Sequence, residues 1–252
     1  MPQPHECDTV GRFSNRADDY VRYRPTYPPE AVDAILDGLG PPGRLVAADV
    51  GAGTGISARL LGDRGVRVIA VEPGEAMRRA AAPHPNVVWA AGRAEATGLA
   101  GQAVDLVLCA QSFHWFRTAG ALSEFARILK ERRRLAIIWN RRSTSDPLTA
   151  GYRQAIVEVG GETAAESRTF DPTVMSGSGL FSAPERKSFP NLQRLDLTGL
   201  IGRARSGSYV PKDGAAGERL LGLLRALHER YADRDGFVTL VYDTEVLCST
   251  RL

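Results

Sequence analysis

Asp49-Val50-Gly51-Ala52-Gly53-Thr54-Gly55 is the stretch on which the fold turns. Leu45 to Val50 forms a short apolar run, and Ile56 to Leu61 resumes with helical character, so the segment reads strand, turn, helix. Glycines at alternate positions let a backbone approach a ligand where a Cβ would collide, and the helix behind them offers N–H groups and a positive dipole end. Val66 to Val71 is a second strand, and Glu72 at its tip places a carboxylate where it can accept both hydroxyls of a ribose. Together these features point to nucleotide-type binding.

Farther out, strands and helices continue to alternate. A helical pattern from Glu30 to Leu39 is closed by Gly40-Pro41-Pro42-Gly43, and a second from Gly74 to Ala82 stops at Pro83. Asn86 to Ala91 and Val104 to Cys109 read as strands, followed by a helix from about Ala119 to Leu129 and a fifth strand from Leu135 to Trp139. Arg132-Arg133-Arg134 reads as a solvated turn before that strand. A strand near Arg194 to Leu197, a helix from Gly214 to Asp233 and a run from Phe237 to Leu247 complete the pattern. The expected fold is α/β, a doubly wound, Rossmann-like, mostly parallel seven-stranded sheet. Its expected additions are an N-terminal helical lid from the aromatic, arginine-rich arm Phe13 to Tyr27 and a helical cap inserted after the fifth strand. One domain over 1–252 is expected, divided into an arm or lid (1–43), a core (44–140), a cap (141–186) and a sheet-closing part (187–252).

Composition narrows the function. The chain is 43% hydrophobic and 24% charged, and no apolar run approaches the roughly 18 residues of a membrane span. The first residues, Met1 to Asp8, have neither a basic start nor an apolar core, so a cytoplasmic location is expected. Cys7, Cys109 and Cys248 are far apart and lack metal-ligand spacing, which argues against a disulfide framework and a zinc site. Of 32 basic residues only Lys130, Lys187 and Lys212 are lysine, but a net charge of +3 without a basic stripe argues against nucleic acid.

The glycine spacing separates two cofactors. A dinucleotide fingerprint is Gly-x-Gly-x-x-Gly, whereas Gly55 arrives one residue early. Asp49, two residues before the first glycine, suits an ammonium group, which S-adenosylmethionine (SAM) has and NAD lacks. At this point the chain resembles a known family. Asp49 to Gly55, Val71-Glu72-Pro73-Gly74-Glu75-Ala76-Met77, Gly92-Arg93-Ala94-Glu95 and Ala110-Gln111-Ser112-Phe113-His114-Trp115-Phe116 resemble the successive signature segments of class I SAM-dependent methyltransferases. The arm, from Phe13 through Ala17, Tyr20, Arg24-Pro25 and Tyr27-Pro28, and the ending Tyr242-x-Thr244-x-Val246 resemble the small-molecule branch that includes the trans-aconitate methyltransferases.

The resemblance implies SAM as cofactor and assigns positions to it. Asp49, Gly51, Ala52, Gly53 and Gly55 would face the methionyl part, Glu72 the ribose, Pro73 and Met77 the adenine face, and Ala94 with Glu95 its edge. Ala110 and Gln111 would line the cofactor beneath the methyl group, with Tyr20 and Arg24 across it in a lid. Relatives tend to have an acidic residue at the position of Arg93, and Pro-Gly-Gly where this chain has Glu131-Arg132-Arg133. The second departure should alter that turn rather than the active site.

From the residues themselves, His114 is either the base that takes a proton from the acceptor, its imidazole titrating near working pH, or a packing group on the cofactor together with Trp115. Trp139 and Asn140 would shape the substrate pocket, joined by Tyr23, Tyr27 and Trp115. Arg22, Arg24 and Arg141 would pair with an anionic acceptor or be solvated. The expected reaction is direct in-line methyl transfer to a small molecule, by a monomer or homodimer without metal, membrane or nucleic-acid partner. The alternatives are aminobutyl or cyclisation chemistry on the same cofactor, and an NAD-dependent oxidoreductase.

Overall fold

The computed structural model describes residues 22–161, 171–207, 210 and 213–252. Phe13 and Tyr20, in the expected lid, lie outside these residues.

In chain order the elements begin with α1 (Pro29–Leu36), β1 (Val46–Val50), α2 (Ile56–Gly62), β2 (Arg67–Val71), α3 (Glu75–Arg79) and β3 (Val87–Ala90). They continue with β4 (Val104–Ala110), α4 (Thr118–Ile128), β5 (Leu129–Arg142), α5 (Pro147–Gly160) and α6 (Thr173–Gly177). β6 (Glu185–Leu195), α7 (Leu197–Arg205), α8 (Gly214–Tyr231) and β7 (Val238–Thr250) close the chain. The seven strands form one sheet in the order β3-β2-β1-β4-β5-β7-β6. The neighbours from β3 through to β5 are parallel, and β7 runs antiparallel to both β5 and β6.

Alternation along the central strands divides the core into two layers. Ala47 of β1, Leu106 and Leu108 of β4 and Ile138 of β5 pack with Ile35 of α1 and Leu61 of α2. Ala48, Val107, Cys109 and Ile137, one residue out of phase, pack with Leu122 and Phe125 of α4. Both faces are covered, which explains why β4 reads as a nearly continuous apolar run. A third cluster joins Tyr152 and Ile156 of α5 to Leu220 and Leu224 of α8 and Leu240 and Tyr242 of β7. α5 is thus packed onto the C-terminal elements α8 and β7.

Three local expectations are corrected. β5 starts at Leu129 rather than Leu135, with a register shift opposite Val104 to Leu106 and Arg132 at φ 54°. The arginine run is therefore part of the sheet and holds other elements: Lys130 and Arg133 pair with the buried Asp105, and Arg133 and Arg134 donate to the carbonyls of Leu39, Ile35 and Asp37. β6 begins at Glu185, far earlier than expected, because an edge strand carries charged residues such as Arg186 and Lys187 without an apolar run. α7 was hidden by Gly199 and Gly202, which weaken a helical pattern. Gly202 lies against Tyr23, whose ring a Cβ at that position would meet.

Candidate active site

β1 and β2 deliver the glycine turn and Glu72 to the carboxyl end of the sheet, beside the point where strand order reverses between β1 and β4. Ligands of doubly wound sheets bind there. Gly51, Gly53 and Gly55 have φ of 68°, 59° and 77°, the left-handed region that disfavours side chains. The turn is tied to β2, with the N–H groups of Gly51 and Ala52 donating to the Val71 carbonyl. Gly51 and Gly55 also serve packing within the protein: a Cβ at Gly51 would lie 2.7 Å from Cβ of Ser112, and one at Gly55 2.9 Å from Cζ2 of Trp89.

Glu72 closes the cradle. Its Oε2 accepts from the Gly53 N–H at 2.9 Å and its Oε1 from the Gly74 N–H at 2.8 Å. The Arg78 guanidinium donates to the carbonyls of Glu72 and Pro73, fixing the β2 exit. Burial raises the Glu72 pKa, opposed by the two N–H donors and the Arg78 charge. Each carboxylate oxygen keeps acceptor capacity beyond its one backbone donor, so the group fits a pair of hydroxyls.

Asp49 is wholly buried. Its Oδ2 accepts from the Ser57 hydroxyl at 2.6 Å, while Oδ1 has no hydrogen-bond partner among the described residues. Burial pushes its pKa from 3.8 to about 7, against the Ser57 bond and the Ala58 N–H, and the Glu72 charge adds to the rise. A buried acceptor lacking a donor is costly. An ammonium group brought to this turn would complete it, so the donor set fits the methionyl end of SAM.

At the β4 exit Ala110 is half-buried and Gln111 adopts φ 56°, a strained conformation for a residue other than glycine. It is held there by its N–H on the Ile138 carbonyl at 3.0 Å and by its amide nitrogen, 3.4 Å from the Asn140 carbonyl. Ser112 Oγ donates to the Val50 carbonyl at 2.8 Å, joining the exits of β1 and β4. Phe113 begins a short 3-10 turn through Trp115 and is buried against Phe116 and Phe125. The turn presents His114 with its ring 4.8 Å from that of Trp115 and 6.5 Å from that of Trp139. Met77 and Ala94 are buried, and Glu95 accepts from the Arg117 N–H at 2.7 Å, at the start of α4.

The described part of the arm has structural partners. Tyr27 is 6% exposed within the core, so packing rather than substrate contact accounts for its ring. The Tyr23 carbonyl accepts from Gln193, and Arg24 donates to the Ser206 carbonyl at 3.4 Å. Asn140 donates to the Thr26 carbonyl and accepts from Asn191 and Thr244, a hub joining the arm to β5, β6 and β7. Arg141 pairs at 2.9 Å with Glu245, a buried carboxylate that Arg186 also contacts. The roles expected of Asn140 and Arg141 toward a substrate thus compete with tight internal bonds. Ser57, Ser112, Arg78 and Asn191 are site or support residues that sequence reasoning missed. Ser57, eight residues after Asp49 on the helix following the turn, and Ser112, inside the Ala110 to Phe116 segment, had a positional signal. A surface depression lined by Asp33, Leu36, Asp37, Gly40, Pro42 and Arg64 lies at the opposite, amino end of the strands and has no part in this site.

The strand order and the cradle define a Rossmann-like cofactor-binding fold of the methyltransferase kind, and comparison with known proteins agrees. A methyltransferase-domain family model matches residues 48–137. An uncharacterized methyltransferase of Schizosaccharomyces pombe is 32% identical over 195 residues, 74% of this chain and 78% of the relative. An uncharacterized methyltransferase of Mycobacterium tuberculosis is 40% identical over 131 residues, and the match spans 52% of each, about half the length of that relative. A solved structure described as a type II methyltransferase from Anaeromyxobacter dehalogenans shares the fold, with TM-score 0.63 and 23% identity, over 90% of this chain and 97% of that one. The chain belongs to the class I SAM-dependent methyltransferase family. Among the described residues no helix is long and apolar enough to cross a membrane, and no group of three or more His, Cys, Asp or Glu is placed to hold a metal ion.

Proposed function

We propose that the chain transfers a methyl group from SAM to a small-molecule acceptor by direct in-line displacement. The observation that carries this reading is the buried, half-partnered Asp49 carboxylate beside a glycine turn closed by Glu72. When bound, SAM supplies a methyl group already activated by the sulfonium, so no covalent enzyme intermediate is required. Asp49 and the turn receive the ammonium and carboxylate end, Glu72 holds the ribose, and Met77, Ala94 and Glu95 border the adenine. Gln111, held in its strained conformation by β5, positions the reacting end. His114 takes the proton from an acceptor that must lose one, or orients an acceptor already ionised. The main work of the protein is alignment, which supplies much of the barrier reduction in bimolecular reactions.

The comparisons lend nothing to aminobutyl chemistry or to an oxidoreductase, and the early Gly55 weighs against the latter. Product analysis tests the proposal. After incubation with SAM and a turned-over acceptor, S-adenosylhomocysteine (SAH) is the expected coproduct, and methylthioadenosine in its place would refute methyl transfer.

A further inference from the structure

The Asp49 carboxylate owes its setting to a side chain on the next helix. On β1, Ala47 and Asp49 share the sheet face that α2 covers, since side chains alternate along a strand. On α2, Ser57 stands one turn before the buried Leu61, on the same side of the helix. Ser57 is 5% exposed, and its hydroxyl faces Asp49 rather than water. The 2.6 Å bond from Ser57 Oγ to Asp49 Oδ2 is short, as expected where the acceptor is ionised.

Two features set this contact apart from ordinary packing. An apolar side chain at 57 would suit the layer around Leu61, and a carboxylate placed for stability alone would have both oxygens bonded, as buried polar groups normally are. Here Oδ2 is held, while Oδ1 has no donor among the described residues. A carboxylate can turn about its own axis and exchange its oxygens, so anchoring Oδ2 fixes the plane and decides which oxygen stays open. The bond also favours the charged form of Asp49, against burial and the Glu72 charge. An ammonium group gains from both effects, meeting a negative charge rather than a neutral acid and a lone pair already fixed in place.

We propose that Ser57 is a positioning residue for the amino end of the cofactor, acting through Asp49 by fixing its carboxylate so that Oδ1 stays open to the ammonium group. This rests on the methyl-transfer reading, with SAM at the glycine turn. Titratable neighbours that act on Asp49 are Glu72 at the tip of β2 and Cys109 on β4, whose thiol burial keeps protonated through the neutral range. Substitution at 57 leaves both in place, so a difference between variants reports Asp49.

Calorimetric titration of the unaltered chain and of Ser57→Ala tests it, with SAH and with methylthioadenosine, which keeps the adenosine and sulfur but lacks the amino-acid end. At about pH 7 Ser57→Ala should weaken SAH roughly tenfold, the loss of a hydrogen bond to a charged group, and leave methylthioadenosine within about twofold. SAH affinity of the unaltered chain should rise with pH and level off above about 7, where the free Asp49 carboxylate is ionised. In Ser57→Ala the levelling should move to higher pH. Equal weakening of both ligands, an SAH affinity indifferent to the substitution, or an unmoved pH profile overturns the proposal. Should methylthioadenosine bind neither protein, the pH profile decides. Should Ser57→Ala fail to unfold cooperatively in urea, Ser57→Cys, close in shape and only a weak donor, takes its place. Failure of the unaltered chain to bind SAH is a distinct result, which overturns the cofactor reading and this inference with it.

Discussion

Replacing Asp49 by asparagine should change how stability depends on pH. The unfolded chain releases this proton near pH 3.8, whereas the folded protein keeps it until about pH 7. The stability associated with the group is therefore complete below about pH 3.8 and is lost as pH rises through 7. At about 1.36 kcal/mol for each pKa unit, a rise of about three corresponds to ~4 kcal/mol, and relaxation around the site makes ~2–4 kcal/mol the expected size. The substituted side chain has nothing to titrate, although its amide group at the Oδ1 position lacks an acceptor and costs about 1–3 kcal/mol at every pH. Urea unfolding of both proteins at pH 4.5 and pH 8, with m-values compared, isolates the effect. Asp49→Asn should be the less stable protein at pH 4.5 and should gain ~2–3 kcal/mol on the unaltered chain by pH 8. A stability difference that stays constant between these pH values, or that moves the other way, would show that Asp49 ionises normally and would remove the argument from its burial.

Other outcomes follow from the same geometry. Glu72→Ala should weaken SAM binding by about 1–3 kcal/mol in calorimetry, the loss of hydrogen bonds to a charged group, and unchanged affinity would end its assignment to the ribose. Gly55→Ala places a Cβ 2.9 Å from Trp89 in a left-handed conformation, and denaturant unfolding should register a loss of about 1–3 kcal/mol. Glu124 accepts from Arg127 and from both the hydroxyl and N–H of Thr97, which hold its pKa at about 2 instead of 4.5. Its contribution is present above pH 4.5 and lost as pH falls through 2. With the Arg127 side chain 47% exposed, solvent screening reduces that contribution to about 1–2 kcal/mol, and Glu124→Gln should lose that much at pH 7 and flatten the acid limb.

The parts of the fold legible in the sequence are those where local pattern and burial agree. β1, β2 and β4 are short, apolar and followed by turn or helix signals, so their place in the sheet could be anticipated. β5 and β6 carry Arg132 to Arg134 and Glu185 to Ser188, polar and charged residues whose strand role depends on partners distant in sequence, namely Asp105, α1 and β7. No local period reveals those partners. At the candidate site, Asp49 and the glycines were readable because one short segment carries them, and Glu72 because it directly follows the next apolar strand. The support from Ser112, Arg78 and Asn191 was not, because serine, arginine and asparagine acquire these roles only once the exits of β1, β2, β4 and β5 converge. Two motif glycines also proved to be shaped by Ser112 and Trp89, a requirement that spacing alone does not separate from ligand approach.

Side-by-side calorimetric titration of the protein with SAM, SAH and NADH tests the central claim most directly. Saturable binding of SAM and SAH, with none of NADH, is the predicted result. Binding of NADH alone would contradict the account and return the glycine turn to the dinucleotide-dependent oxidoreductases.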